Sequence, residues 1–386
     1  MSDVLQKLRA DIAHEDAQIV AHLARRLELV LDVANLKNSS AMPVMQPAQV
    51  ASVLSRVELL ADESGLSAPF VLRIYESIIA EACRLEDERL RVAQVPIGQA
   101  VVLGGGVAGR IGRALLERVG YVCRTVDVAP DAGADLVADV CEHSDALQTV
   151  LDTCDAVVFA TPHDVTLKAL RLWIPHLRPA TFVIDLLSSK SAVATVIGGL
   201  EADYEAAGIN PMFGADLQPL QPPLLFVTYR GGDRARQLVT RLRETGSDLI
   251  ECADAQDHDM VCARWQALVH ATVLAFGKAA ADLGEDFLAS GHAAPPPFRL
   301  LRALLARMLR AADPATYEEI QFGGPHAAEA RREMALATAL IADGDRTAWR
   351  EVWADLADSL PEPELMDGQD QFLRACRAIF ERFDGV

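Results

Sequence analysis

The stretch Ala100-Val101-Val102-Leu103-Gly104-Gly105-Gly106-Val107-Ala108-Gly109 decides the fold. Four apolar residues in a row read as a buried strand, and Gly104, Gly106 and Gly109 fit G-x-G-x-x-G. Ile111, Ala114 and Leu115 then open a helical pattern directly behind them. The glycines permit a tight turn and a close approach of backbone amides to a pyrophosphate, which sits at the positive end of the following helix. A second strand pattern, Tyr121 to Val126, ends in Asp127, about twenty residues on, where a ribose-binding acid belongs. Strand, turn, helix and acid in this order predict a Rossmann domain with a nucleotide site at Gly104, Gly106, Gly109 and Asp127. Asp127 would repel a 2′-phosphate and so favours NAD over NADP, while Arg110 and Arg124 nearby oppose that preference.

Working outward, residues 157–160, 182–185 and 224–227 are further apolar strands alternating with helices, which implies a mostly parallel sheet over residues 100–252. After Asp254 the strand signals stop, and residues 253–386 are Ala- and Leu-rich with helical periodicity, broken mainly at Ala293-Ala294-Pro295-Pro296-Pro297. Upstream, residues 1–91 carry apolar residues at three- and four-residue spacing, with breaks near residues 41–43 and 67–69, and read as three helices. Residues 92–99, holding Pro96 and Gly98, are the natural linker. The expected architecture is an all-α N-terminal domain, an α/β Rossmann domain and an all-α C-terminal domain.

Composition narrows the partners. A net charge of −19 disfavours nucleic acid or an anionic membrane, since both need a positive face. The seven cysteines form no Cys-x-x-Cys pair, so neither a disulfide framework nor a metal site is suggested, which points to a reducing cytoplasm. The first residues open directly into the amphipathic pattern Val4-Leu5-Leu8-Ile12 rather than a signal peptide, and no apolar run reaches membrane-spanning length.

Three motifs carry a resemblance. Gly208-Ile209-Asn210-Pro211-Met212-Phe213-Gly214 resembles the His-Pro-Met-Phe-Gly signature of prephenate dehydrogenases, with Asn210 where that family places its catalytic histidine. Asp185-Leu186-Leu187-Ser188-Ser189-Lys190 resembles the family's Asp-x-x-Ser-x-Lys segment, and Asp257-His258-Asp259 with Gln266 and His270 resembles the helix that follows. The first ninety residues resemble an all-helical chorismate mutase, so the chain is similar over nearly its full length to the bifunctional chorismate mutase–prephenate dehydrogenase, or T-protein, family. The resemblance implies that Ser188 and His270 line the substrate and nicotinamide pocket, that Gln266 is the variant found in the bifunctional enzymes, and that Arg299 grips a substrate carboxylate. A planar guanidinium suits a bidentate carboxylate. The alternative for Arg299 is one arginine of a solvated helix face, because Arg302, Arg307 and Arg310 follow it. His258 reads as a helix-start or structural residue.

A mutase of this kind catalyses a pericyclic rearrangement and needs cations that fix a dianion, with no acid, base or metal. The resemblance places these cations at Arg9, Arg26 and Lys37. Arg26 and Lys37 are eleven residues apart and share a helix face, whereas Arg9 does not. That agrees with the family's intertwined homodimer, in which the first arginine comes from the partner subunit. Glu86 matches the acid near the ether oxygen in the tyrosine-pathway mutases. The family's Arg-Glu pair, the glutamate of which binds the C4 hydroxyl, is Gln49-Val50 here, and its active-site serine is Ala82.

Both domains therefore depart from the family at the contact to C4. The missing histidine would accept the C4 hydroxyl proton, and an asparagine amide has no usable basicity. An amine at C4 removes that need, because its lone pair can assist hydride departure. The expected activity is that of a fused mutase and NAD-dependent oxidative decarboxylase of 4-amino-4-deoxychorismate and 4-amino-4-deoxyprephenate. The rivals are an ordinary enzyme of tyrosine synthesis that tolerates Asn210, and a non-catalytic sensor of aromatic-pathway metabolites.

Overall fold

Residues 101–103, 157–159 and 183–184 are exposed by 2% or less, and strands apolar on both faces belong at the centre of a sheet covered on both sides. The computed structural model describes all residues except 1, 39–43, 45, 94–95, 202, 215–216, 218, 220, 285–293, 312–313 and 381–386. The strands are β1 (Gly98–Leu103), β2 (Tyr121–Asp127), β3 (Leu136–Val137), β4 (Ala156–Phe159), β5 (Phe182–Asp185), β6 (Glu205–Pro211), β7 (Pro223–Arg230) and β8 (Asp248–Glu251). They form an eight-stranded sheet in the order β3-β2-β1-β4-β5-β6-β7-β8. Every neighbouring pair is parallel except β6 with β7. The order reverses between β1 and β4, and that switch point is where doubly wound sheets bind ligands at the carboxyl ends of their strands.

By contact the chain divides into two compact units, Met1–Leu187 with Val196–Cys252, and Ser188–Thr195 with Ala253–Val386. The first unit holds the sheet and the N-terminal helices α1 (Ser2–Asn38), α2 (Pro47–Glu63) and α3 (Ala68–Ala93), of which α3 packs against the other two. The expected break at residues 41–43 lies outside the described residues. The linker expected at residues 92–99 is shorter than the sequence suggests, because α3 runs to Ala93 and β1 already begins at Gly98. Helix α4 (Val107–Arg118) follows β1, and α5 (Asp145–Leu151), α6 (His163–Trp173), α7 (Ser191–Gly198) and α8 (Asp233–Glu244) follow β3, β4, β5 and β7. Ile111, Leu115 and Leu116 of α4 and Leu238, Val239 and Leu242 of α8 pack into one core with Val102, Val158, Ile184 and Phe226 of the sheet.

The second unit is helical. Helix α9 (Ala255–Cys262) continues through a π-helical turn, Ala263–Ala267, into α10 (Leu268–Asp282). Then follow α11 (Pro296–Ala311), α12 (Pro314–Phe322), α13 (Pro325–Asp343), α14 (Arg346–Ser359) and α15 (Glu362–Phe380). Part of the proline run read as a break opens α11 instead. Proline is tolerated in a first turn, where its missing N–H would have no helical partner anyway. Val273, Leu305 and Met308 form a small core of this unit with Leu301, Leu304 and Tyr317.

The glycine turn shows why its residue types are fixed. A Cβ on Gly109 would lie 1.8 Å from the Gly104 carbonyl oxygen, and Gly104 has φ +111 with its own would-be Cβ 2.5 Å from the Ala160 carbonyl. Backbone on both sides cannot yield cheaply. Gly109→Ala should therefore destabilise the chain by ~1–3 kcal/mol or more, the usual cost of overpacking a filled site, with a matching drop in nucleotide affinity. Thermal denaturation and cofactor titration of the variant check this, and unchanged values in both would refute the close approach.

Candidate functional site

At the nucleotide site Asp127 ends β2, and its two carboxylate oxygens accept from the amides of Gly105 at 2.6 Å and Ala129 at 2.8 Å. A carboxylate offers about four lone-pair sites, so both oxygens can still accept from a diol. Gly106 is the N-cap of α4, with open space where its Cβ would stand, and the first turn of α4 carries no acid that would repel an anion. Arg110 Nη1 donates to the Gly105 carbonyl at 3.2 Å, which holds a guanidinium beside the loop.

Further along the carboxyl edge of the sheet, Asp185 closes β5 and is 1% exposed. Its Oδ1 accepts from Leu187 N at 3.0 Å and its Oδ2 from the Tyr229 hydroxyl at 2.7 Å. Asp185 is paired in register with Gly208 of β6, and the β6–β7 ladder shifts register between Ala206 and Ala207, opposite Tyr229. A bulge re-aims a side chain, and Gly208 has none to obstruct a tyrosine reaching across β6. Asn210, two residues beyond Gly208 and so on the same sheet face, is 2% exposed. Asn210 thus stands beside the Asp185–Tyr229 pair, inside the structure rather than on a solvated turn.

In the second unit, Asp259 organises the segment after Leu187. Its carboxylate accepts from Lys190 N at 2.7 Å, Ser191 N at 3.0 Å and Ser191 Oγ at 2.6 Å, and contacts His258 Nδ1 at 3.0 Å. Burial alone would raise its pKa, but these hydrogen bonds outweigh burial and hold it below the ordinary carboxylate value. His258 is fully buried, with Nδ1 3.0 Å from Asp259 Oδ1 and Nε2 3.5 Å from Cys262 Sγ. Ser188 lies half-buried beside this network, lining a small cleft with Ser189, Asp259, Glu319 and His326.

The π turn carries Gln266, and α10 carries His270 four residues on. π turns inside α-helices concentrate at functional sites. The Ala267 carbonyl is taken by Gln321 Nε2 of α12 at 2.8 Å, and Arg331 of α13 holds the Gln321 carbonyl in turn. Leaving a buried carbonyl unmet would cost ~1–3 kcal/mol. Gln266 Oε1 and His270 Nδ1 are buried without a partner among the described residues, an arrangement that native structures reserve for a ligand, a water or a functional role. The His270 ring packs edge-on against Tyr317, with centroids 4.8 Å apart. Burial first and Arg307 second hold its pKa below the ordinary histidine value. Arg299 sits half-buried in the first turn of α11.

The N-terminal helices enclose a cavity of about 620 Å³ lined by Arg26, Lys37, Gln49, Val50, Ala82 and Glu86, among others. Lys37 Nζ donates to Glu86 Oε2 at 2.6 Å and to the Val44 carbonyl at 3.0 Å. Arg26 Nη1 is buried and has no partner among the described residues. Three of the four residues expected at the mutase site are thus brought together. Arg9 is not: it lies exposed on α1, about 25 Å along the helix axis from Arg26 at the usual rise per residue.

Comparison with known proteins agrees with both halves. Residues 8–87 match the family described as chorismate mutase type II, and residues 122–221 match prephenate dehydrogenase, nucleotide-binding domain. A 4-amino-4-deoxyprephenate dehydrogenase from Streptomyces pristinaespiralis is 32% identical over 274 residues, which is 69% of this chain and 92% of that one. The chain belongs to the prephenate dehydrogenase family. It is a dehydrogenase fused to a mutase, for a 4-amino-4-deoxychorismate mutase from the same organism is 30% identical over 110 residues, 28% of this chain and 85% of that one. The crystal structure of prephenate dehydrogenase from A. aeolicus in complex with hydroxyphenyl propionate and NAD+ shares the fold, with a TM-score of 0.55 at 16% identity over 72% of this chain and 99% of that one.

Sequence reasoning missed several residues that support the candidate sites of this dehydrogenase. Asp185 was visible only as part of a motif, and Tyr229 and Gln321 gave no local signal, since each acts on a residue distant in sequence. His270 yields a test. The unfolded chain binds the proton first as the pH falls, so the stability from a neutral His270 is complete above pH 6.5 and is lost on descent through 6.5 towards the lower folded value. The stability difference between wild type and His270→Gln should therefore shrink between about pH 8 and pH 5. Denaturant midpoints across that range measure it, and a pH-independent difference would show that the ring titrates normally.

Proposed function

We propose that the helical N-terminal segment converts 4-amino-4-deoxychorismate to 4-amino-4-deoxyprephenate, and that the dehydrogenase site oxidises that product with NAD to 4-aminophenylpyruvate, carbon dioxide and NADH. The observation that carries this reading is Asn210. It is buried at the carboxyl end of β6, where the family's histidine would serve as base, and its amide can exchange hydrogen bonds but take no proton. Loss of a positioned base costs ~10²–10⁴-fold for a hydroxyl substrate. For an amine the cost vanishes. The nitrogen lone pair forms the C4–N double bond as hydride leaves C4, and loss of carbon dioxide returns its electron pair to the ring, giving the arylamine with no proton to remove from a neutral amine. The names of the two Streptomyces relatives support the same substrates.

The chain's own residues then divide the work. The open face at Gly106 and the unblocked start of α4 fit a pyrophosphate, and Asp127 fits the ribose hydroxyls. Bound there, NAD supplies the nicotinamide that accepts the hydride. Ser188, Gln266 and His270 line the substrate side, and Arg299 grips a carboxylate. In the cavity Arg26 holds one substrate carboxylate, and the Lys37–Glu86 pair meets the ether oxygen. Arg9 of a second copy completes it. A homodimer is supported by α1 itself, whose Val4, Leu5, Leu8, Ile12, Ile19 and Val20 are 50–65% exposed and need an apolar partner surface.

Two measurements test the reading. The ratio of kcat/KM for NAD over NADP should exceed ~10, because a 2′-phosphate meets the Asp127 carboxylate; equality, or preference for NADP, would mean that Arg110 or Arg124 dominates. Wild type should oxidise 4-amino-4-deoxyprephenate at least ~10²-fold more efficiently than prephenate, and Asn210→His should recover prephenate activity while gaining little with the amine. Steady-state kinetics of both substrates with both proteins give the interaction term. Equal turnover of the two substrates by wild type would establish the tyrosine-pathway activity instead.

A further inference from the structure

The cavity between α1, α2 and α3 carries a cation that the sites described above do not use. Gln49, Val50, Val53 and Arg56 line it from α2, at the three- and four-residue spacing of a single helix face. Gln49 stands where the family has an arginine. Arg56 follows seven residues later, two helical turns along the same face.

Charge accounting within the cavity separates its cations. Lys37 is engaged by Glu86 and the Val44 carbonyl. Arg26 has an unmet buried Nη1, and Arg56 makes no hydrogen bond or ion pair among the described residues. Arg26 from α1 and Arg56 from α2 thus line one cavity without an acidic partner among the described residues, and a dicarboxylate would supply one to each. We propose that Arg56 is a substrate-binding residue of the mutase cavity, gripping a substrate carboxylate from the α2 side while Arg26 lines the same cavity from α1. The assignment rests on the mutase reading given above. A guanidinium fork binds a carboxylate through two parallel hydrogen bonds, which a glutamine amide cannot match in charge or geometry.

The test uses the full chain and follows mutase turnover of 4-amino-4-deoxychorismate and of chorismate. Arg56→Gln should raise KM ~10-fold or more with kcat within ~3-fold, as expected for loss of a charge-assisted contact made in ground and transition states alike. Arg56→Met, which keeps the aliphatic stem, should do the same. Arg73→Gln removes an exposed charge from α3 and should leave KM unchanged, and dehydrogenase turnover of directly supplied 4-amino-4-deoxyprephenate should be the same in all variants. A wild-type KM in both Arg56 variants overturns the assignment, as does an equal loss in Arg73→Gln, which would reveal diffuse steering. So does a change of oligomeric state in Arg56→Gln by size exclusion, which would show that Arg56 serves a subunit contact. Absence of mutase turnover in wild type with either substrate would sink the mutase reading itself.

Discussion

One buried carboxylate determines how the second unit is assembled. Asp259 takes the amides of Lys190 and Ser191, the Ser191 hydroxyl and a contact from His258. This is why a segment that follows β5 in sequence, Ser188–Thr195, belongs by contact to the helical unit that begins at Ala253. The first turn of α7 has its orphan amides met by a side chain about seventy positions away in sequence rather than by a local cap. The same bonds keep Asp259 ionised despite its burial. Ser188 is placed by a backbone whose next three residues are all tied down.

The two sites of the first unit differ in what they ask of the chain. The nucleotide site is made almost wholly of backbone: amides at a helix start, and glycines that allow carbonyls to pass within touching distance. The mutase cavity is made of side chains, among which Lys37 is engaged by Glu86 while Arg26 keeps a buried Nη1 unmet among the described residues. Asn210 belongs to neither type. It is a buried amide at the end of β6 that can exchange hydrogen bonds but take no proton.

What could be read in the sequence follows from the range of the interactions. The glycine turn, the strand ahead of it and Asp127 lie between Gly98 and Asp127 and obey local rules, so the Rossmann fold was legible from one stretch. Arg26 and Lys37 were legible because helical spacing puts them on one face. Arg56 was not, for a solvated arginine and a cavity arginine have the same spacing until the third helix is in place. The bulge that turns Tyr229 towards Asp185 depends on a register shift between two strands, and no pattern within β7 announces it. The π turn is similarly silent, because apolar periodicity hardly distinguishes an i to i+4 bond from an i to i+5 bond over a single turn.

That π turn sets a phase difference within one continuous rod. Adding one residue to a helix rotates all that follows by about 100° relative to all that precedes it. The α9 part can therefore aim Asp259 at residues 190–191 while the α10 part aims His270 at Tyr317, two orientations that a regular helix of the same length would couple rigidly. The extra residue acts as a fixed gear offset. With it, the residues that face residues 190–191 ahead of the turn and those that face Tyr317 behind it can change sequence independently, and Gln321, by meeting the Ala267 carbonyl, locks the offset in place.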